Sequence, residues 1–168
     1  MELKELSNKT IELFEINKIE QLGDALMECV ENDDTSKMQA FCDLVDHDLS
    51  KDWLQMIYQY YCADRSEKKQ DYTPKCLAQF LSRLVGESTE TIDMCAGSGA
   101  LTIQRWAENP NTAFTLYEID GNVIPYLLFN MVIRNVNATV HQSDILQNET
   151  VKSWSIRKGD RFGKVSCI

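Results

Sequence analysis

Residues 91–104 read TIDMCAGSGALTIQ, and this stretch decides the fold. A short apolar run that ends near Asp93 is typical of a β-strand, and the turn Gly97-Ser98-Gly99 separates it from a helical pattern. A strand, a glycine turn and a helix form the unit at which parallel α/β sheets bind ligands. The glycines allow the main chain to come close to a ligand, and the start of the helix offers free N–H groups. The stretch therefore predicts an α/β fold with a ligand site at this turn.

The pattern of strands and helices continues on both sides of this turn. Helical patterns cover residues 76–85 and 123–135, and further strand patterns cover residues 112–119, 138–144 and 161–168. Strands that alternate with helices indicate an α/β fold with a parallel sheet.

The first 64 residues contain no proline and, apart from Gly23, no glycine, and their apolar residues recur at helical spacing. We expect a small helical bundle, interrupted by a polar turn at residues 32–36. Ser50 is the expected N-cap of the last helix, with Asp52 in its first turn. The sequence thus predicts an acidic helical domain at 1–70 and the α/β domain at 71–168.

Composition limits the class of protein. The net charge is −9, and residues 1–70 carry 16 acidic and 8 basic residues, so neither half is suited to gripping DNA phosphates unaided. No apolar run approaches the roughly 20 residues that span a bilayer, and the N-terminus has no signal-peptide pattern. We expect a cytoplasmic protein without membrane contact. The six cysteines show neither zinc-ligand spacing nor C-x-x-C pairs, which predicts no metal site.

The acidic residues near the turn indicate the kind of cofactor. Glu118, at the end of the second strand pattern, can accept hydrogen bonds from both hydroxyls of a ribose, so a nucleoside-containing cofactor fits. A dinucleotide fold needs a third glycine where this chain has Thr102, and Asp93 would repel a pyrophosphate. A cofactor with ammonium and sulfonium groups tolerates Asp93 better, which favours S-adenosylmethionine. A plain strand–turn–helix junction without a ligand is the alternative.

Four segments together resemble the N6-adenine DNA methyltransferases, particularly the modification subunits of type I restriction systems. DYTPKCLAQFLSRLV (71–85) is similar to the Tyr-Thr-Pro motif of that family and the helix after it, and DMCAGSG (93–99) to its cofactor loop. YEID (117–120) resembles the acidic end of its second strand, and SDIL (143–146) the loop after its third. The resemblance spans about residues 54–168. It implies a methyltransferase-like, Rossmann-like fold of strand order 3-2-1-4, with the fourth strand at an edge.

The resemblance also implies which residues bind S-adenosylmethionine. Some surround its methionine and ribose, others hold the ribose hydroxyls, and the rest contact the adenine. The residues around the methionine and ribose are Tyr72, Thr73, Pro74, Asp93, Cys95, Ala96, Gly97, Ser98 and Gly99. Glu118 holds the ribose hydroxyls. Ile119, Asp144 and Ile145 contact the adenine. Three of these have other interpretations. Thr73 with Pro74 is also an ordinary helix start, Cys95 is also a packing residue, and Asp144 could simply end a strand.

One family motif has no counterpart in these residues. The family seats the extruded adenine with Asn/Asp-Pro-Pro-Tyr/Phe after the fourth strand, whereas the three prolines here are Pro74, Pro110 and Pro125. We therefore assign no catalytic residue and expect no DNA methylation by this chain alone. A truncated enzyme, one part of a split enzyme or a decayed relative would each fit. DNA would be reached through missing segments or a partner subunit, and a homodimer or association with another restriction–modification subunit is expected.

Two other functions stay open at this point. The acidic helical half could be the working surface of a non-enzymatic interaction or regulatory module derived from a methyltransferase, with the α/β half as its scaffold. A nucleotide-binding oxidoreductase fragment is disfavoured by Thr102 and Asp93. Binding of S-adenosylmethionine, of NAD or of neither would separate the three.

Overall fold

The computed structural model describes residues 2–61, 75–86 and 88–168 of the chain. Within those ranges the chain forms helices followed by a five-stranded sheet with helices between its parallel strands, which confirms the predicted α/β class with a helical segment in front. The elements are, in chain order, α1 Leu3–Phe14, a short 3-10 helix Ile19–Gln21, α2 Leu22–Glu31, α3 Thr35–Leu44, α4 Trp53–Tyr61, α5 Lys75–Val85, β1 Glu90–Asp93, α6 Ala100–Glu108, β2 Ala113–Glu118, α7 Ile124–Ile133, β3 Ala138–Asp144, β4 Glu149–Arg157 and β5 Lys164–Cys167.

Aspartates start two of the N-terminal helices. The side chain of Asp34 accepts a hydrogen bond from the Lys37 N–H at 3.0 Å, which caps α3 in the middle of the turn predicted at residues 32–36. The side chain of Asp52 accepts from the Gln55 N–H at 2.9 Å in the same way at α4. The prediction that Ser50 caps α4 is wrong, because the Ser50 hydroxyl donates to Asp48 instead and the helix begins two residues later than that cap requires.

The helical segment and the sheet share one core. Every residue of α7 is buried, and the helix lies between the N-terminal helices and the sheet. The Phe129 ring meets those of Phe14 and Phe41 at centroid distances of 5.7 and 5.3 Å, and Tyr126 packs against Tyr58 at 5.0 Å. The proposed boundary at residue 70 lies outside the described residues, so the division into two domains stays a prediction.

The sheet has the order β1-β2-β3-β4-β5. β1, β2 and β3 are parallel, as predicted, whereas β4 and β5 run antiparallel to their neighbours, so the sheet is mixed. The strand order 3-2-1-4 implied by the resemblance is wrong for these residues. Because β4 turns back on β3, it carries the last strand to the edge opposite β1.

β4 was missed by the sequence analysis. Buried and less buried side chains alternate only in the second half of β4. Trp154 and Ile156 are buried there, Ser153 and Ser155 are half-buried, and Arg157 is exposed, whereas Glu149–Lys152 are all exposed. A two-residue period that covers so few positions falls short of the usual strand pattern. The strand forms because β3 supplies a ladder of partners along its whole length.

The two faces of the sheet differ. Leu116, Val140 and Trp154 are paired across neighbouring strands and lie together in the buried core. On the other face Tyr117 and His141 are half-buried, with their rings stacked at a centroid distance of 4.8 Å. In the described part of the chain, no helix is long and apolar enough to cross a bilayer.

Candidate cofactor site at the carboxyl ends of the strands

The loop between β1 and α6 is held by its own main chain. The φ angles of Gly97 and Gly99 are 55° and 100°, in the left-handed region that glycine favours. The Ala96 N–H donates to the carbonyl of Tyr117 at 2.9 Å, and the Gly99 N–H donates to the carbonyl of Ala96 at 2.8 Å. The first of these bonds joins the loop to β2, so the loop and the end of β2 lie side by side.

The two glycines differ in what surrounds them. A Cβ atom at Gly99 would lie 2.9 Å from Met131 Cε and 3.1 Å from Leu127 Cδ1, so α7 leaves no room for a side chain there. A Cβ atom at Gly97 would have no described atom within 4 Å. Among the described residues, nothing therefore covers this side of the Gly97 main chain, and a ligand has room to approach it there.

Glu118 is fixed next to this opening. Its Oε2 accepts a hydrogen bond from the Gly97 N–H at 2.8 Å, and its Oε1 accepts from the Asp120 N–H at 2.8 Å. Each carboxylate oxygen can accept a further hydrogen bond. Glu118 is thus oriented by the loop and can still receive two hydroxyl groups, which is what a ribose diol requires.

Asp93 lies at the end of β1 and is half-buried. Its Oδ1 accepts from the Cys95 N–H at 3.2 Å and its Oδ2 from the Thr102 hydroxyl at 3.3 Å. Burial raises the pKa of Asp93 above its ordinary value, although both hydrogen bonds oppose the shift. A cationic group brought close to Asp93 would favour its charged form, because opposite charges attract and water is partly excluded.

The remaining loop and strand residues differ in exposure. Ala96 and Ser98 are buried as whole residues, so they support the loop from inside, whereas the Cys95 side chain is exposed. Ile119, just after β2, is 62% exposed, and Leu146, after β3, is 94% exposed. Exposed apolar side chains at the carboxyl edge of a sheet are suited to covering the flat face of a base.

Asp144 and Ile145 lie at the end of β3 and are half-buried. Gln142 of β3 is paired with Glu118, so Asp144 projects two residues, or roughly 7 Å, beyond the level of Glu118. Its Oδ1 accepts from the N–H groups of Leu146 and Gln147 at 3.0 and 3.1 Å. Asp144 therefore shapes the turn after β3, and no residue described in the structure donates to its second oxygen, which suits a ligand amino group.

Three predicted site residues cannot be placed. Tyr72, Thr73 and Pro74 lie outside the described residues, and the description resumes at Lys75, where α5 begins.

The structure adds a buried polar group that the sequence analysis missed. Asp52, Asn130 and Arg134 lie below the loop and connect it to the start of α4. The sequence does indicate a role for Asn130, because it is a single amide within the apolar run VIPYLLFNMVI, and a buried amide needs hydrogen-bond partners. Its partners were not predictable, since Asp52 lies 78 positions earlier in the chain.

Comparisons with known proteins identify a family. A family model described as N-6 DNA Methylase matches residues 45–165, which is most of the chain. The matched range includes α4, the β1–α6 loop and every candidate residue named above. No curated protein and no solved structure matches the chain.

Proposed function

Because the chain belongs to the N-6 DNA methylase family, we propose that it is the S-adenosylmethionine-binding part of an N6-adenine DNA methyltransferase of the restriction–modification type. The observation that carries this proposal is the pairing of an open main chain at Gly97 with the fixed carboxylate of Glu118. When bound, S-adenosylmethionine supplies the activated methyl group for transfer to adenine N6.

Each part of the cofactor has a matching part of the site. Glu118 accepts the two ribose hydroxyls, and the Gly97 main chain lies beneath the sugar. Asp93 lies where the cationic methionine portion would pass, and its charged form stabilises that portion. Ile119 covers one face of the adenine, and Asp144 with Ile145 receives its amino edge. By the resemblance, Tyr72, Thr73 and Pro74 would close the methionine end.

Methyl transfer needs a second half that these residues do not contain. The 168 residues contain no Asn-Pro-Pro sequence to accept hydrogen bonds from the adenine amino group and to stack on the extruded base. With a net charge of −9, the chain has no overall electrostatic attraction to DNA phosphates. We therefore propose that this chain binds the cofactor and depends on additional segments or a partner subunit for DNA binding and catalysis.

Calorimetric titration of the purified chain with S-adenosylmethionine, and separately with NAD, tests the cofactor assignment. Saturable binding of the first and none of the second is expected. Binding of neither would contradict the proposal and favour a non-enzymatic interaction module. NAD binding would favour the oxidoreductase class.

A matched pair of glycine variants tests whether binding occurs at this loop. Gly97→Ala and Gly86→Ala both place a Cβ in open space at a positive φ, of 55° and 72°, so their backbone costs are similar. Only Gly97 faces the candidate site. We expect Gly97→Ala to lose most of its affinity for S-adenosylmethionine and Gly86→Ala to keep it. Equal affinities would place the site elsewhere.

Transfer is tested with labelled S-adenosylmethionine and DNA of mixed sequence. The chain alone should give no incorporation above that of a heat-denatured control. Clear incorporation would show that these residues seat the base by some other means and would refute the second half of the proposal.

A further inference from the structure

Asp52 is a buried carboxylate at the junction of the helical segment and the cofactor loop. It lies immediately before α4, and its side chain receives three hydrogen bonds. Oδ2 accepts from the Ser98 hydroxyl at 2.7 Å, and Oδ1 accepts from the Gln55 N–H and from Asn130 Nδ2, both at 2.9 Å. All three partners donate, which is the environment of an ionised carboxylate.

Asn130 and Arg134 of the α7 region complete the group. Asn130 Nδ2 also donates to the Ser98 carbonyl at 2.9 Å, and Asn130 Oδ1 accepts from Arg134 Nη1 at 3.0 Å. Arg134 donates further to the carbonyls of Leu49 and Lys51, both at 2.9 Å. Arg134 thus binds the main chain just before α4, and Asn130 joins Arg134 to the loop through its hydrogen bond to the Ser98 carbonyl.

The charges of the group balance each other. Burial lowers the pKa of Arg134 to about 10, and the negative charge of Asp52 opposes this shift, so the guanidinium is charged at neutral pH. Burial raises the pKa of Asp52, opposed first by the Ser98 hydroxyl and then by the charge of Arg134. An acid and a base that are both buried here stabilise each other through Asn130.

Ser98 is the point at which this group meets the loop. It lies between Gly97 and Gly99, and both its hydroxyl and its carbonyl are bound by the group. Glycines on either side leave the main chain little stiffness of its own. The conformation that leaves Gly97 open and turns its N–H toward Glu118 therefore depends on how Ser98 is held.

We infer that Asp52 is a positioning residue for the cofactor loop, so that the helical segment in front of the α/β fold forms part of the binding site. Asp52 does not touch the ligand. It holds Ser98, and through Ser98 it fixes the Gly97 main chain beside Glu118. The consequence for S-adenosylmethionine affinity rests on the proposed function, whereas the ordering of the loop does not.

Asp52→Asn tests the inference with a control of the same kind. The asparagine keeps an acceptor for the Gln55 N–H, so α4 retains its cap. Asp34→Asn makes the same change at the cap of α3, away from the loop. In the ligand-free chain, amide hydrogen exchange at Gly97 and Gly99 should become about tenfold faster in Asp52→Asn, relative to the amide of Val140 in β3, and should not change in Asp34→Asn. Unchanged exchange in both variants, or an equal rise in both, would overturn the inference.

A double-mutant comparison separates positioning from general loss of stability. Asp52→Asn takes the charge from the hydrogen bond that Ser98→Ala removes, so each should weaken S-adenosylmethionine binding, by up to about tenfold, and the double variant should be no weaker than Ser98→Ala. Losses that multiply in the double variant would overturn the inference. If the unaltered chain fails to bind the cofactor, the proposed function fails, and the exchange measurement alone decides the role of Asp52.

Discussion

Replacing Gly99 by alanine is expected to destabilise the chain by about 3 kcal/mol, since backbone strain adds about 1–2 kcal/mol and overpacking about 1–3 kcal/mol. Gly99 has φ 100° and ψ 23°, well beyond the left-handed values that other residues tolerate. The added methyl group would also lie 2.9 Å from Met131 Cε and 3.1 Å from Leu127 Cδ1. Met131 can move its flexible end, which limits the second contribution.

Gly86→Ala is the control for backbone strain alone. Gly86 has φ 72°, and a Cβ there would meet no described atom within 4 Å, so only about 1 kcal/mol should be lost. Urea unfolding followed by tryptophan fluorescence reports both changes, because Trp154 is buried in the core. If Gly99→Ala loses no more stability than Gly86→Ala, the close packing of α7 against the loop does not constrain this position, and the reasoning is refuted.

Three further predictions concern the charges and amides of the site. Glu118→Gln removes the charge and leaves one of the N–H groups of Gly97 and Asp120 without an acceptor, so S-adenosylmethionine affinity should fall about tenfold in calorimetry, and unchanged affinity would contradict the role of Glu118. Burial raises the pKa of Asp93 above its ordinary value, so ionising it lowers stability as pH rises, and Asp93→Asn should gain in unfolding free energy relative to the unaltered chain as the pH rises above about 4. A difference in unfolding free energy between Asp93→Asn and the unaltered chain that does not change with pH would contradict this role of Asp93. Asn130→Ala removes one buried hydrogen-bond partner from each of Asp52 and Arg134 and should cost about 3 kcal/mol in urea unfolding, whereas Asn111→Ala, at an exposed position, should cost under about 0.5 kcal/mol.

The sequence contained the local features of the fold. The positions of β2, α7 and β3 were predicted to within two residues, because each has a clear apolar period bounded by turn residues. The turn at Gly97 and Gly99 was equally clear, since positive φ values there demand glycine.

The tertiary features were not predictable in the same way. Choosing Asp52 rather than Ser50 as the cap of α4 depends on Asn130 and Ser98, which lie far along the chain. β4 depends on its ladder with β3, and its own alternation is too short to identify it. The strand order was taken from the resemblance, whereas the antiparallel return of β4 decides it here.

The hydrogen bonds of Asp52 have a consequence for folding kinetics. Those from Ser98 and Asn130 join positions 46 and 78 residues apart in sequence, so long segments of chain must be closed before these two can form. Contacts of such sequence separation form late, because the entropy of closure is lost before they compensate for it. During synthesis, the loop at Gly97 therefore lacks part of its support until Asn130 has emerged from the ribosome and docked. Ordering of this loop reports completed tertiary assembly, not the earlier pairing of β1 with β2.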